Sequence, residues 1–208
     1  MKKIFLPLII FMYMCINMNA QSFNGGLIGG FSTSQVDGDT YAGYHRIGLN
    51  VGAFVNHGLT KNLLWQMELK FIQKGSYKNQ NPDIGDYFIY NLRLNYFEVP
   101  FLIRYVHKNK FSVEAGIAFG YLAKSKEGNQ DGEFPYDPNI PNFHKFELSS
   151  QLGAYYYFTD NFWINTRYSY SILPIRPHAS GAVYLMNRGE YNNVIQFALY
   201  YCFGNKND

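Results

Sequence analysis

His178-x-Ser180 followed by Glu190 supplies the residue types of a base, a nucleophile and an orienting carboxylate. Held in register, such a set would cleave an acyl ester. Pro174 and Pro177 place the pair in a loop rather than on a rigid strand edge, so the sequence reads as an ordinary loop there. His45, His57, His107 and His144 stand singly near turn signals, and none has the spacing of a zinc site. Asp37-x-Asp39 has the start of a calcium loop without its remaining ligands and is read as a turn. The Gly-rich stretches do not follow a phosphate-cradling pattern. No cofactor is implied and no catalytic set is expected.

A second group of chemistry-bearing residues is spread along the chain. Glu68, Lys70, Glu98, Arg104, Glu114, Lys145, Glu147 and Arg167 fall singly inside otherwise apolar or small-residue segments. Charges buried in such a setting must be paired with one another. They are expected to form one network, and its role depends on the elements that carry them.

Those elements repeat every second residue. Ile47, Leu49, Val51, Ala53 and Val55 alternate with Gly48, Asn50 and Gly52; Leu63 to Phe71, Phe111 to Tyr121, Phe146 to Phe158, Ile164 to Ile172 and Tyr191 to Phe203 behave alike. Sustained alternation is the mark of strands with two unlike faces. A Gly-rich first strand over residues 25–36 and a long segment over 88–106 bring the total to eight. The long segment slips phase near Tyr96-Phe97, where a β-bulge is expected. Short connections (Asn56–Asn62, His107–Lys110, Thr159–Asn161) alternate with long ones (Asp37–Tyr44, Ser76–Tyr87, Ser125–Asn142, Pro174–Gly189).

Composition limits the class. In 208 residues, 19% are aromatic, 47% hydrophobic and only 16% charged. The polar face lacks the Lys/Glu carpet of a soluble surface and carries Gly, Ser and Ala. Aromatics gather at strand ends, as Phe111 with Tyr121 and Tyr156 with Phe158. That is the girdle pattern of a membrane barrel. The 18 Lys+Arg include Lys2 and Lys3, so the rest of the chain is nearly balanced against 15 Asp+Glu, and no basic stripe suggests nucleic acid. Lys2 and Lys3, the apolar run Ile4–Cys15 and Met18-Asn19-Ala20 predict a signal peptide over residues 1–20, cleaved before Gln21. Cys202 would then be the lone cysteine, excluding an internal disulfide. The expected fold is all-β, an eight-stranded antiparallel up-and-down transmembrane β-barrel over residues 21–208, exported to a bacterial outer membrane and surrounded by its lipid. Eight strands leave an interior that side chains fill.

Two stretches carry a family resemblance. One runs from Gly25-Gly26-Leu27-Ile28-Gly29-Gly30-Phe31-Ser32 through Val36-Asp37-Gly38-Asp39 and Tyr41-Ala42-Gly43-Tyr44 to Gly48-Leu49-Asn50-Val51-Gly52. The other is Tyr96-Phe97-Glu98-Val99-Pro100-Phe101-Leu102-Ile103-Arg104-Tyr105. Both are similar to the PorT-like outer-membrane β-barrel proteins. The resemblance implies a barrel without a catalytic motif and an accessory role in protein secretion or surface export, with envelope or secretion-machinery proteins as partners. Gln196-x-Ala198-x-x-Tyr201-x-Phe203 resembles the final-strand signal of such barrels, with Ala198 in place of Gly and five residues after Phe203. The expected role is a structural or interaction protein, acting through its loops, the segment Glu127–Phe143 above all. A narrow porin-like channel is the alternative, and a lipid-A-modifying enzyme using Ser180 is the third reading.

Overall fold

The computed structural model describes residues 23–107, 110–135, 137–178 and 189–203. The expected export signal, Ser180 and the residues after Phe203 lie outside them. The strands are β1 (Asn24–Asp37), β2 (Arg46–Gly58), β3 (Leu63–Lys78), β4 (Tyr90–His107), β5 (Phe111–Asn129), β6 (Gly132–Glu133), β7 (Phe146–Tyr157), β8 (Phe162–Ser171) and β9 (Tyr191–Cys202). Eight of them pair antiparallel with their neighbours in the order β4-β3-β2-β1-β9-β8-β7-β5, and β4 pairs with β5 to close the ring. The two-residue β6 folds back on the end of β5. The protein is a closed eight-stranded antiparallel barrel.

Closure requires strongly coiled strands that approach closely. Gly116 is one place where the approach leaves no room, since a Cβ there would lie 2.0 Å from the carbonyl oxygen of Phe101 on β4. We expect Gly116→Val to separate β4 from β5 and to lower the urea midpoint of the folded barrel, by about 1–3 kcal/mol of overpacking.

The outward face is apolar through the middle of every barrel strand. In register across four strands runs an aromatic row, Phe71, Phe97, Tyr121 and Phe146. Nearer the short turns, Phe111 packs on Tyr156 (ring centroids 5.0 Å), Tyr156 on Phe158 (5.1 Å), and Phe162 on Tyr201 (4.9 Å). From Phe111 to Tyr121 a strand tilted near 45° rises about 25 Å, the height of an outer-membrane apolar band.

Beyond the upper row the wall rises highest on one side, while opposite it β1 and β9 stay paired as far as Asp37↔Tyr191. Pairing of β3 with β4 runs to Lys78↔Tyr90 and of β4 with β5 to Asn91↔Gly128. Pairing of β2 with β3, by contrast, extends no further than Asn50↔Ile72. Ser32 and Ser34 of β1 donate their hydroxyls to the carbonyls of Gln73 and Gly75, at 2.6 and 2.9 Å, which occupies part of the edge that β2 leaves open. Strands β3, β4 and β5 therefore stand above the rim as a three-stranded sheet, β5 running about 26 Å along its length past Tyr121.

Candidate functional site

The lumen is filled in three layers. At the short-turn end Ile28, Phe54, Tyr155, Trp163, Ala198, Tyr200 and Cys202 pack together. At the long-loop end Val36, Ile72, Tyr90, Leu92, Leu94, Tyr96, Leu122, Ile175 and Val194 form a second apolar layer. Between them lie the charges. Inward pointing follows from strand parity: the even residues of β3, β4 and β9, those of β5 as far as Leu122, and the odd residues of β7 and β8 turn away from lipid.

Seven charged groups form an alternating chain. Glu147 meets Lys74 at 3.1 Å, and Lys74 also bridges to Glu98. Glu98 meets Lys70 at 3.5 Å, and Lys70 reaches Glu68 at 3.9 Å. Arg167 then binds Glu68 and Glu114, each at 2.7 Å. Its guanidinium serves both carboxylates in bidentate fashion, Nη1 and Nη2 donating to Glu68 and Nε and Nη2 to Glu114. Neutral groups complete the shells. Tyr200 Oη and Gln66 Nε2 donate to Glu68 Oε1, at 2.9 and 2.6 Å. Asn165 donates to Glu114, and Ser171 and Asn192 donate to Glu147. Lys70 donates to the Gln196 side-chain oxygen at 2.6 Å.

Arg104 stands beside the chain rather than in it. It donates to Gln66 Oε1 and to Tyr157 Oη, and its guanidinium carbon lies 3.8 Å from the centre of the Tyr155 ring. A planar cation over an aromatic face is held by the ring quadrupole. With Arg104 included, four buried basic groups (Lys70, Lys74, Arg104, Arg167) face four buried acidic ones (Glu68, Glu98, Glu114, Glu147), and the layer is neutral. Neutrality matters because the layer is flanked by apolar packing and an unmatched ion there would cost several kcal/mol.

Lys145 is a correction to the sequence reading. It has inward parity with Glu147, yet it lies exposed, one residue before β7 begins. The wall ends at Tyr121↔Phe146, because β5 departs with β4 above that point. Lys145→Ala should leave barrel stability unchanged within about 0.5 kcal/mol in urea titration, as for other exposed sites. Lys74 takes the place in the chain that Lys145 was expected to fill. Its signal was available, since Glu68, Lys70, Ile72 and Lys74 share one face, but the apolar alternation that marked the strand stops at Phe71.

The rim carries a second cluster that the sequence did not reveal. Arg176 donates to Glu127 (Nη1 to Oε2, 2.7 Å) and to Glu190 (Nε to Oε2, 2.8 Å), and Phe143 lies under its guanidinium at 4.3 Å. Burial pushes the Glu190 carboxyl up, only partly offset by Arg176. Burial works against the Arg176 charge as well, but Glu127 and Glu190 hold its pKa above the ordinary range. Glu190, one member of the ester-cleaving set weighed from the sequence, is thus engaged by Arg176. The segment Glu127–Phe143 is pinned at both ends by the same guanidinium, with Phe134 and Ile140 exposed between. His144 Nδ1 lies 3.0 Å from the Pro174 carbonyl, and Asp39 accepts the Tyr41 amide within its own turn. Among the described residues no three His, Cys, Asp or Glu side chains converge to hold a metal.

A family profile described as outer membrane protein beta-barrel domain matches residues 19–176. The chain belongs to that outer-membrane β-barrel family. Two solved barrels show the same fold at low identity. Ail, the attachment invasion locus protein of Yersinia pestis, is 13% identical with a TM-score of 0.50, over 88% of this chain and 99% of Ail. Neisserial surface protein A is 8% identical with a TM-score of 0.51, over 88% of this chain and 99% of its own. No curated protein matches the chain. Family and fold together place the barrel in a bacterial outer membrane with its apolar belt in lipid.

Proposed function

We propose that this family member is a plugged barrel that anchors an interaction surface, with residues 1–20 as a cleaved export signal and 21–208 as the barrel domain. The observation that carries the reading is the filled lumen, a neutral charge layer between two apolar ones. A side-chain network of this kind holds the eight strands in one register and leaves the raised β3–β4–β5 sheet and its loops as the parts free to meet other molecules. The PorT-like resemblance supports a finer role, accessory to protein secretion or surface export. Crosslinking in intact cells, followed by purification from the outer membrane, tests it. A reproducible near-stoichiometric envelope protein supports the accessory role, and a bare barrel removes it.

A narrow channel is the second reading, supported by the continuity of the ionisable chain from Glu147 to Glu114. It requires bilayer conductance that changes on Glu98→Gln or Arg104→Gln. A silent bilayer containing folded protein eliminates it.

A further inference from the structure

The raised sheet contains an irregularity that changes which side chains face lipid. Along β5, Ala118, Gly120 and Leu122 point inward, and unbroken alternation would turn Lys124 and Lys126 inward as well. The register with β4 shifts instead: Tyr96 pairs with Leu122, but Asn95 pairs with Lys124, leaving Ala123 as an extra residue. A bulge of this kind rotates everything beyond it to the other face. Lys124 and Lys126 emerge outward, opposite Asn95 and Arg93, and both lysines and Arg93 are exposed. Glu127 turns inward to Tyr90 and Arg176.

The height of these cations is set by the aromatic row beneath them. Asn95 and Lys124 lie about 5 Å above Phe97 and Tyr121, and Arg93 and Lys126 about 10 Å, given the strand rise and tilt. The polar headgroup layer of one leaflet is about 5–8 Å deep. Arg93 and Lys126 also line a cleft of about 280 Å³ with Asn91 and Asn129, to which Glu127 and Glu133 contribute as well. Glu133, exposed and bridged to Lys126, neutralises one of the three charges. On the opposite flank the same height carries Gln35, Asp37 and Tyr191, without a basic side chain among them. The cationic spot is therefore local and faces outward, with Lys124 at headgroup level and Arg93 and Lys126 just above it, within reach of the headgroups through their long side chains.

We propose that Arg93, Lys124 and Lys126 form a binding site for the phosphate of a phosphorylated outer-leaflet lipid headgroup, with Asn95 and Asn91 as neutral donors. Arg93 supplies a planar fork that a phosphate accepts in bidentate fashion, and the lysines supply point charges on either side. The bulge at Ala123 exists in this reading to present them. The site depends only on the membrane placement of the barrel and is independent of any protein partner.

The test uses the folded full-length protein in detergent, titrated with diphosphorylated lipid A, with the same lipid stripped of its phosphates, and with inorganic phosphate, each followed by native mass spectrometry. The expected result is about a tenfold preference for the phosphorylated lipid, lost in the triple variant Arg93→Gln, Lys124→Gln, Lys126→Gln. Unchanged heat-modifiable gel mobility would show that the variant is folded. Lys61→Gln with Lys110→Gln, at the short-turn end, should keep the preference. Equal retention of both lipids by the wild type, or undiminished preference in a folded triple variant, overturns the proposal. So does displacement of the lipid by inorganic phosphate at equal concentration, which would make the site one for free anions.

Discussion

Arg167→Met is expected to be the most damaging single substitution in the barrel, costing about 3–5 kcal/mol or preventing folding. The side chain is buried and reaches from β8 to two carboxylates, Glu68 on β3 and Glu114 on β5, the strands on either side of β4. Its loss leaves a buried layer of four acidic and three basic groups, with one carboxylate in excess. The two carboxylates do not suffer equally. Glu68 keeps Lys70, Tyr200 and Gln66, whereas Glu114 keeps the Asn165 amide. Adding Glu114→Gln restores three against three and should recover roughly half of the lost stability. Urea unfolding, read by the fluorescence of the lumenal Trp163 and by gel mobility, decides the matter. A single variant that unfolds at the wild-type midpoint would show that the charge layer contributes little. A double variant no better than the single would show that packing around Arg167, not charge balance, is what was lost.

Deleting Ala123 is expected to have the second largest effect, and a different one. Removing the bulge residue turns Lys124 and Lys126 toward the apolar layer of Leu92, Leu94 and Tyr96 and moves Glu127 away from Arg176. The upper sheet then loses a partly buried ion pair and gains misplaced charges, about 3 kcal/mol by the cost of breaking such a pair. The membrane-embedded half keeps its register. The expected result is a barrel that still shifts on a heat-modifiability gel but is cut by added protease between Lys124 and Lys145. Ala123→Gly keeps the extra residue and should resist cleavage like the wild type. Full resistance of the deletion variant would mean that the loop beyond β5 absorbs the change and that the bulge does not set the facing of Lys124.

Strand periodicity was readable because each strand crosses a boundary between two media, lipid outside and a polar lumen inside. The same logic explains why the expected bulge lies on a different strand. Near Tyr96-Phe97 the alternation of residue types inverts, and a bulge in that strand was the expected reason. The burial of β4 alternates without interruption from Tyr90 to Arg104. What inverts is the surroundings: below Phe97 the outside is lipid and the inside polar, and above it the outside is headgroup and water and the inside is Leu92, Leu94 and Tyr96. The extra residue is on the neighbouring strand, at Ala123, where Ala-Lys-Ser-Lys gives no periodic signal of its own. The lumenal charges were legible as unlike neighbours in apolar strands. Their partners were less so, because Gln66, Tyr155, Gln196 and Tyr200 are ordinary strand residues until the ring closes. Arg176 and Glu190 come from the two ends of the β8–β9 connection and Glu127 from the upper end of β5, and periodicity carries no information about such meetings.

The span of the lumenal contacts bears on how the chain reaches this state. Arg167 is separated from Glu68 by 99 positions, Lys74 from Glu147 by 73, and Tyr200 from Glu68 by 132. Hairpins such as β3–β4 can form early and pair Lys70 with Glu68 and Glu98 and Lys74 with Glu98, but they leave Glu68 without Arg167, Lys74 without Glu147 and Arg104 without Tyr155 and Tyr157. A half-zipped sheet inserted in lipid would carry charges that only β7, β8 and β9 can match. Insertion is consequently penalised until the last strand arrives, and the finished ring is favoured over every open one. The charge layer thus makes assembly nearly all-or-none, with the seam between β1 and β9 as its closing event.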